Sequence, residues 1–283
     1  SRLGDNHYYM TTTTGGAAHV LGWLERWHQT EWPELEVFFT SVTDRWAVAS
    51  IAGPNSRSLL DQLCSDIDLS ADAFPFMSLR KGTVAGLTAR VFRISFSGEL
   101  AFEINVSADD GVALWEALLE VGAKYDITPY GTETMHVLRA EKGYVIVGQD
   151  TDGSVTPADL GMDWIVSKAK DFVGKRSLVR SDMLKENRKQ LVGLVTEQPG
   201  TVLPEGTQLV NEPSTDYPVP MTGHVTSSYY SANLGHSIAL ALVKGGHSRM
   251  GATVYAPTLD RQLIKATITS PVFYDAENLL HKT

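Results

Sequence analysis

The stretch Tyr130-Gly-Thr-Glu-Thr-Met-His-Val-Leu-Arg-Ala-Glu-Lys-Gly-Tyr-Val-Ile-Val-Gly-Gln-Asp150 decides the fold. Its first half reads as a short helix. Thr132 stands at a capping position, and Met135, Val137 and Leu138 supply the apolar positions. Gly143 stops the helix. The run Tyr144-Val145-Ile146-Val147 is short, apolar and β-branched, which predicts a strand or a buried extended segment. Glu141 therefore sits at a helix C-terminus, where the negative end of the helix dipole repels a carboxylate. Either solvent or an ion pair with Arg139 or Lys142 compensates it, or a ligand carrying paired N–H donors does.

Working outward, size and composition bound the answer. The chain has 283 residues, enough for one large domain or two to three smaller ones. Its 43% hydrophobic content supports a packed core rather than disorder. The net charge of −9 argues against a nucleic-acid binder, which needs a basic face, but leaves room for a local basic pocket. Cys64 is the only cysteine, so no intrachain disulfide and no cysteine-based zinc or iron–sulfur site exists. A reducing, cytoplasmic setting fits. The histidines show no metal-ligand spacing, and no metal is expected. No apolar run approaches the ~20 residues that a membrane helix needs, and neither a Gly-rich dinucleotide fingerprint nor a P-loop is present.

Upstream, His7 to Met10 reads as a strand already under way, which predicts a preceding segment. Thr11 to Gly16 is a strand end and turn, opening a helix over Ala17 to His28 with Val20, Leu21 and Leu24 on one face. Glu36 to Thr40 and Arg45 to Ile51 predict a hairpin. Asn55 caps a helix running to Leu63, and Phe74 to Met77 is an apolar loop destined for burial. Gly82 to Gly86, Thr88 to Ser95 and Leu100 to Val106 predict strands. Ala108 to Val121 is amphipathic, with Val112, Leu114, Trp115, Leu118 and Leu119 inward. This is an α+β plan with antiparallel sheets. Downstream, Trp164 to Val166 predicts a strand and Lys175 to Glu186 a charged helix. Beyond residue 188 six short strands with turn punctuation predict a small barrel or sandwich: 191–196, 208–210, 223–228, 237–242, 253–255 and 263–269. The expected domains are 1–188 and 189–283.

Several motifs in order carry a resemblance. Leu138-Arg139-Ala140-Glu141-Lys142-Gly143 with Gly148-Gln149-Asp150 resembles the L-R-x-E-x-G…G-x-D/E segment of the aminomethyltransferase family, the T-proteins of glycine cleavage. Gly53-Pro54-Asn55-Ser56-Arg57, Ser97-Gly98-Glu99 with Phe102-Glu103, Asp171-Phe172-Val173-Gly174-Lys175, and Gly223-His224-Val225-Thr226-Ser227 with Leu234-Gly235 and Ile238-Ala239-Leu240-Ala241 agree in the same order. Within that family the chain looks most like the branch formed by the C-terminal halves of heterotetrameric sarcosine oxidase α subunits, notably in Phe74-Pro75-Phe76-Met77 and Thr226 to Ser231.

The resemblance implies two interlocked ferredoxin-like folate subdomains followed by a C-terminal β-barrel. It implies tetrahydrofolate as cofactor and one-carbon transfer, in which an iminium or formaldehyde carbon becomes 5,10-methylenetetrahydrofolate. The implied partners are folate, a small methylated amine or its imine, and flavin-carrying oxidase subunits, with no nucleic acid and no membrane. It assigns to Glu141 the bidentate acceptance of the two pterin N–H donors. The anionic folate tail favours a cation, for which Lys175 and Arg176 are candidates, and Tyr144, Tyr230 and Phe96 are candidates to flank the flat rings. The hydroxyls of Thr13 and Thr14 are candidates too, although T-proteins carry an asparagine hereabouts and threonines also make ordinary strands and caps. T-proteins also use an aspartate in an upstream D-D-G strand. Asp5, the nearest acid, falls outside that motif, so the expectation is a binding module catalytically incomplete by itself, and no catalytic residue is assigned. A demethylase acting on dimethylglycine or dimethylsulfoniopropionate, and a non-catalytic folate-binding scaffold, remain alternatives.

Overall fold

The computed structural model describes residues 1–214 and 218–282, apart from the side chains of Thr14 and Lys282. The chain divides into two compact units, 1–95 with 99–129 and 281–283, and 96–98 with 130–280.

The first unit opens with β1 (Arg2–Gly4) and β2 (His7–Tyr8), an antiparallel pair, and α1 (Ala17–Glu31). Then come β3 (Trp46–Ala52), α2 (Ser56–Asp61), β4 (Ser78–Val84), β5 (Leu87–Arg93), β6 (Ala101–Ser107) and α3 (Gly111–Gly122). The last four strands form one antiparallel sheet in the order β3-β6-β5-β4. Period-two alternation sorts its faces. Ile51, Ala89, Val91, Phe102, Ile104 and Val106 pack with Leu59, Leu60, Leu114 and Leu118 from the helices. Trp46, Arg90, Phe92, Glu103 and Asn105 alternate with them and belong to the other face.

The second unit holds α4 (Thr132–Glu141) and six strands: β7 (Lys189–Thr196), β8 (Gln208–Leu209), β9 (Gly223–Ser231), β10 (His236–Lys244), β11 (Thr253–Pro257) and β12 (Leu263–Thr269). They pair antiparallel in the order β11-β12-β7-β10-β9-β8. Reciprocal Val210–Tyr255 backbone bonds of 2.9 Å carry the sheet round toward closure. Closure removes most of the exposed strand edge, and Val192, Leu194, Leu209, Val225, Ala239, Ala241, Val243, Val254 and Ile268 fill the interior. All six strands expected beyond residue 188 are present.

The register slips between Leu240 and Ala241, whose partners on β9 are Ser227 and Val225, so Thr226 is the extra residue of a bulge. In a regular strand neighbouring side chains point to opposite faces. Here the bulge lets the hydroxyls of Thr226 and Ser227 reach the same carboxylate oxygen, Oδ1 of Asp150, each at 2.6 Å.

Several local expectations are corrected. Glu36 to Thr40 forms no strand, and β3 pairs with β6 instead of closing a hairpin. Tyr144 to Val147 is not a strand either, because its backbone is used in turns: Tyr144 N–H donates to Arg139 O and Asp150 N–H to Ile146 O, both at 2.9 Å. Trp164 and Ile165 lie in a 3₁₀ turn that ends before Val166, and the helix expected from Lys175 shrinks to a 3₁₀ segment over Lys175–Val179. Thr132 is the first residue of α4 rather than its cap, and neither Gly131 nor Asn55 makes a side-chain cap. On α3, Leu114 and Leu118 are buried, but Val112 and Trp115 face solvent. Phe74 is buried as expected while Met77 is exposed.

Candidate functional site

The L-R-A-E-K-G segment forms a buried polar knot in the second unit. Arg139, Glu141, Lys142 and Asp150 are all 2% exposed or less. The Arg139 guanidinium donates to Asp150 Oδ2 at 2.5 Å, to Ser227 Oγ at 2.6 Å and to the Tyr144 carbonyl at 3.0 Å. Asp150 also accepts the Ile146 N–H at 2.8 Å, besides the two β9 hydroxyls. Lys142 pairs with Asp275 at 2.8 Å. Asp275 is held below the ordinary carboxylate range: burial raises it, but the donors Lys142, Leu279 and Leu280 more than offset that.

Gly143 makes the knot possible. Its φ of +73° is left-handed, and a Cβ there would lie 2.5 Å from the Pro271 carbonyl oxygen. With the chain turned so closely, the Phe273 and Tyr274 N–H groups donate to the Glu141 carbonyl at 2.8 and 2.9 Å.

Glu141 itself has partners. Ser231 Oγ donates to its Oε1 at 2.6 Å and Asn233 Nδ2 to its Oε2 at 2.8 Å. Each oxygen of Glu141 thus accepts one hydrogen bond from the protein. Tyr144 stacks on Phe96, with ring centroids 6.2 Å apart and planes at 19°. Burial pushes the Tyr144 phenol up, with Asp275 adding to the effect. Tyr230 is half exposed beside Ser231. Phe96, Glu141, Tyr144 and Tyr230 thus belong to the second unit. Lys175 is held in its own loop, donating to Asp171 at 3.0 Å and the Lys170 carbonyl at 2.9 Å, and Arg176 in the same turn is exposed. Thr13 is exposed in the first unit, and the Thr14 side chain lies outside the described residues.

A second arrangement lies in the first unit, on the strand that follows the Ser97-Gly98-Glu99 turn. Glu103 stands opposite Phe92 on β5 and Ser50 on β3. Burial pushes its carboxyl up, and among the described residues no group donates to it. On the same sheet face Arg90 lies over the rings of Trp46 and Tyr9, and Tyr9 lies 6.0 Å from Phe92. The Tyr9 phenol is raised by burial and by Glu103, with Arg90 opposing. An acid at an internal strand position, with core residues on both sides in sequence, is the signal that marks Glu103. Among the described residues no cluster of three or more His, Cys, Asp or Glu side chains is placed to hold a metal, and no helix is long and apolar enough to cross a membrane.

This fold and these motifs match two family models, the GCVT N-terminal domain over residues 1–170 and the glycine cleavage T-protein C-terminal barrel domain over 189–275. The chain belongs to the glycine cleavage T-protein family. Within it, the chain is 51% identical over 98% of its length to sarcosine oxidase subunit alpha of Corynebacterium sp. (strain P-1). It is 30% identical over 96% of its length to the mitochondrial dimethylglycine dehydrogenase of Homo sapiens. The chain spans 29% and 30% of the length of these two relatives. The crystal structure of glycine cleavage system aminomethyltransferase T from Bartonella henselae superposes with a TM-score of 0.76 at 21% identity, over 93% of this chain and 67% of that one. That likeness shows the fold: α+β, of the T-protein kind, with a C-terminal barrel.

Proposed function

We propose that this chain is a tetrahydrofolate-binding one-carbon transfer module that receives the iminium or formaldehyde carbon released when sarcosine is oxidised. The observation that carries the reading is Glu103, a desolvated carboxylate with no protein donor among the described residues, on a sheet face that also carries Tyr9, Trp46 and Phe92. A pterin presents two adjacent N–H donors and a flat ring, so an acceptor carboxylate beside aromatic side chains is the donor set it needs, and these residues fit. Glu103 is favoured over Glu141 because each oxygen of the latter already accepts a hydrogen bond from the protein, from Ser231 and Asn233, whereas Glu103 has no such donor among the described residues. When bound, tetrahydrofolate supplies the nucleophilic nitrogens that take up the carbon as 5,10-methylenetetrahydrofolate.

The work of the chain is binding and orientation. Glu103 fixes the ring edge in its ionised form, and the aromatic side chains exclude water from it. The oxidation belongs to flavin-carrying parts of a larger assembly, as the similarity to sarcosine oxidase α subunits supports. The dimethylglycine dehydrogenase relative favours a second reading, in which dimethylglycine is the donor. A reducing, cytoplasmic setting accompanies both readings, supported by the single cysteine.

Anaerobic titration calorimetry with tetrahydrofolate tests the reading. The wild-type chain is expected to bind with a Kd on the order of micromolar, and Glu103→Gln to weaken binding about tenfold or more. Binding that is absent from the wild type, or unchanged in Glu103→Gln, overturns it. A formaldehyde-condensation assay on the wild type then tests turnover.

A further inference from the structure

At the end of the barrel where β7 and β9 begin and β8 and β10 end lies a cleft of about 390 Å³, lined wholly by the second unit. Its polar lining is Asn187, Asn211, Thr222, Lys244 and Arg249: two cations, three neutral groups and, among the described residues, no carboxylate. On a chain of net charge −9 that is a local reversal of sign. Arg249 closes the 3₁₀ turn after β10 and is fixed by neutral acceptors. Its guanidinium donates to Asn211 Oδ1 at 2.8 Å, to Thr222 Oγ1 at 3.0 Å and to the Lys244 carbonyl at 3.3 Å. None of these cancels its charge, and a guanidinium has more N–H groups than these bonds use.

The same bonds set the polarity of the neutral groups. The Asn211 oxygen accepts from Arg249, so its amide N–H groups point elsewhere, and the Thr222 oxygen accepts while keeping its own hydrogen to donate. Thr222 is only 5% exposed, and among the described residues its hydroxyl hydrogen meets no acceptor. Lys244, exposed at the rim, stands opposite Lys189 in the β7–β10 register, an unfavourable pairing of like charges. Lys189 turns to His224 Nδ1, at 3.3 Å, and its charge adds to the Ser154 hydrogen bonds that hold the Asp152 carboxyl low. Among the described residues no carboxylate pairs with Lys244 or Arg249.

We propose that this cleft binds a phosphate group. Lys244 and Arg249 match its charge of roughly −1.5 to −2 at pH 7, and the Thr222 hydroxyl and Asn211 amide supply further donors to its oxygens. A carboxylate, singly charged, would leave one of the two cations uncompensated. Two sources carry this chemistry, the free ion and a small phosphorylated molecule. The volume favours the second, since ligand pockets run from roughly 300 to 1,000 Å³ and a bare phosphate fills little of that. The inference stands apart from the folate reading.

Calorimetry on the full chain, at low salt in a phosphate-free buffer, compares glycerol 3-phosphate, inorganic phosphate and glycerate. Glycerol 3-phosphate is expected to bind with a Kd on the order of 0.1 to 1 mM, and glycerate about tenfold more weakly or less well still. Tighter binding of the ester than of inorganic phosphate identifies a phosphorylated molecule as the source, and equal affinity identifies the free ion. Thr222→Val removes the hydroxyl and keeps the shape of the side chain, and Lys244→Gln removes an exposed charge. Each is expected to weaken phosphate binding about tenfold, and Arg249→Gln to abolish it. Because Arg249→Gln also loosens the loops that Arg249 ties, the other two variants carry the decision, with thermal unfolding confirming that each is folded. Absent binding by the wild type, equal affinity for glycerate, or undiminished phosphate binding in either Thr222→Val or Lys244→Gln overturns the proposal.

Discussion

The Ser231 hydroxyl donates to the Glu141 carboxylate at 2.6 Å across a sequence separation of 90 residues, tying the end of α4 to the end of β9. A carboxylate at the negative end of a helix needs compensation. The neighbouring cations do not provide it, since Arg139 is engaged by Asp150 and Lys142 by Asp275. Neutral donors from Ser231 and Asn233 do. Ser231→Ala is therefore expected to lower stability by about 1–3 kcal/mol, the cost of leaving a buried acceptor short of a donor. Urea denaturation measures it, and an unchanged midpoint would remove Glu141 from the list of structural anchors.

The Arg139–Asp150 pair makes a sharper case, because neither side chain is exposed to solvent. Asp150→Asn or Arg139→Met leaves an uncompensated partner and is expected to destabilise by about 3–5 kcal/mol. Replacing both with apolar residues is expected to be milder than the sum of the single changes, since no buried charge is then orphaned. The bulge hydroxyls of Thr226 and Ser227 lose their acceptor in any Asp150 variant, so some loss persists in the double. A double-mutant cycle by chemical denaturation checks this, and strict additivity would show that the pair is not coupled.

Much of this architecture was legible in the sequence, for identifiable reasons. The six barrel strands announce themselves because turn residues punctuate short β-branched runs, as in Gly223 to Ser231 and Leu263 to Thr269. The Tyr144 to Val147 run carries the same local signal, but there the Gly143 turn and the Arg139 side chain take up the backbone groups that a ladder would use. Tertiary context overrode propensity. The site was harder to read. Glu141 stood out through its motif, yet its partners Ser231 and Asn233 are too distant in sequence to be seen. Glu103 joins Trp46 and Phe92 only once the β3–β6 and β5–β6 registers put them on one face.

Cys64 gives a prediction about reactivity. Burial pushes its thiol up to about 12, with Asp66 and Asp61 adding to the shift. The thiolate is the nucleophile, so at pH 8 this cysteine is expected to react with a disulfide reagent far more slowly than a free thiol. Unfolding in urea should restore the ordinary rate. Stopped-flow labelling of the single cysteine reads both, and fast labelling of the folded chain would contradict the burial of the thiol.

Glu103 ties stability to binding through pH. Burial raises its carboxyl above the ordinary value of 4.5. Between that value and the raised one the folded chain holds a proton that the unfolded chain has released, so folding becomes less favourable as pH rises through this window. Below 4.5 the group is neutral in both states, and its ionisation penalty vanishes. Glu103→Gln should therefore be more stable than the wild type at pH 8, and the advantage should shrink to nothing as pH falls through the window. Tetrahydrofolate affinity should run the opposite way, strengthening in the wild type as Glu103 ionises and staying weak and flat with pH in the variant. Thermal unfolding across pH, paired with calorimetry at the same pH values, tests both limbs. A stability difference that ignores pH would show that the carboxylate is not desolvated. One that follows pH without a matching change in affinity would show a desolvated carboxylate that does not meet the ligand.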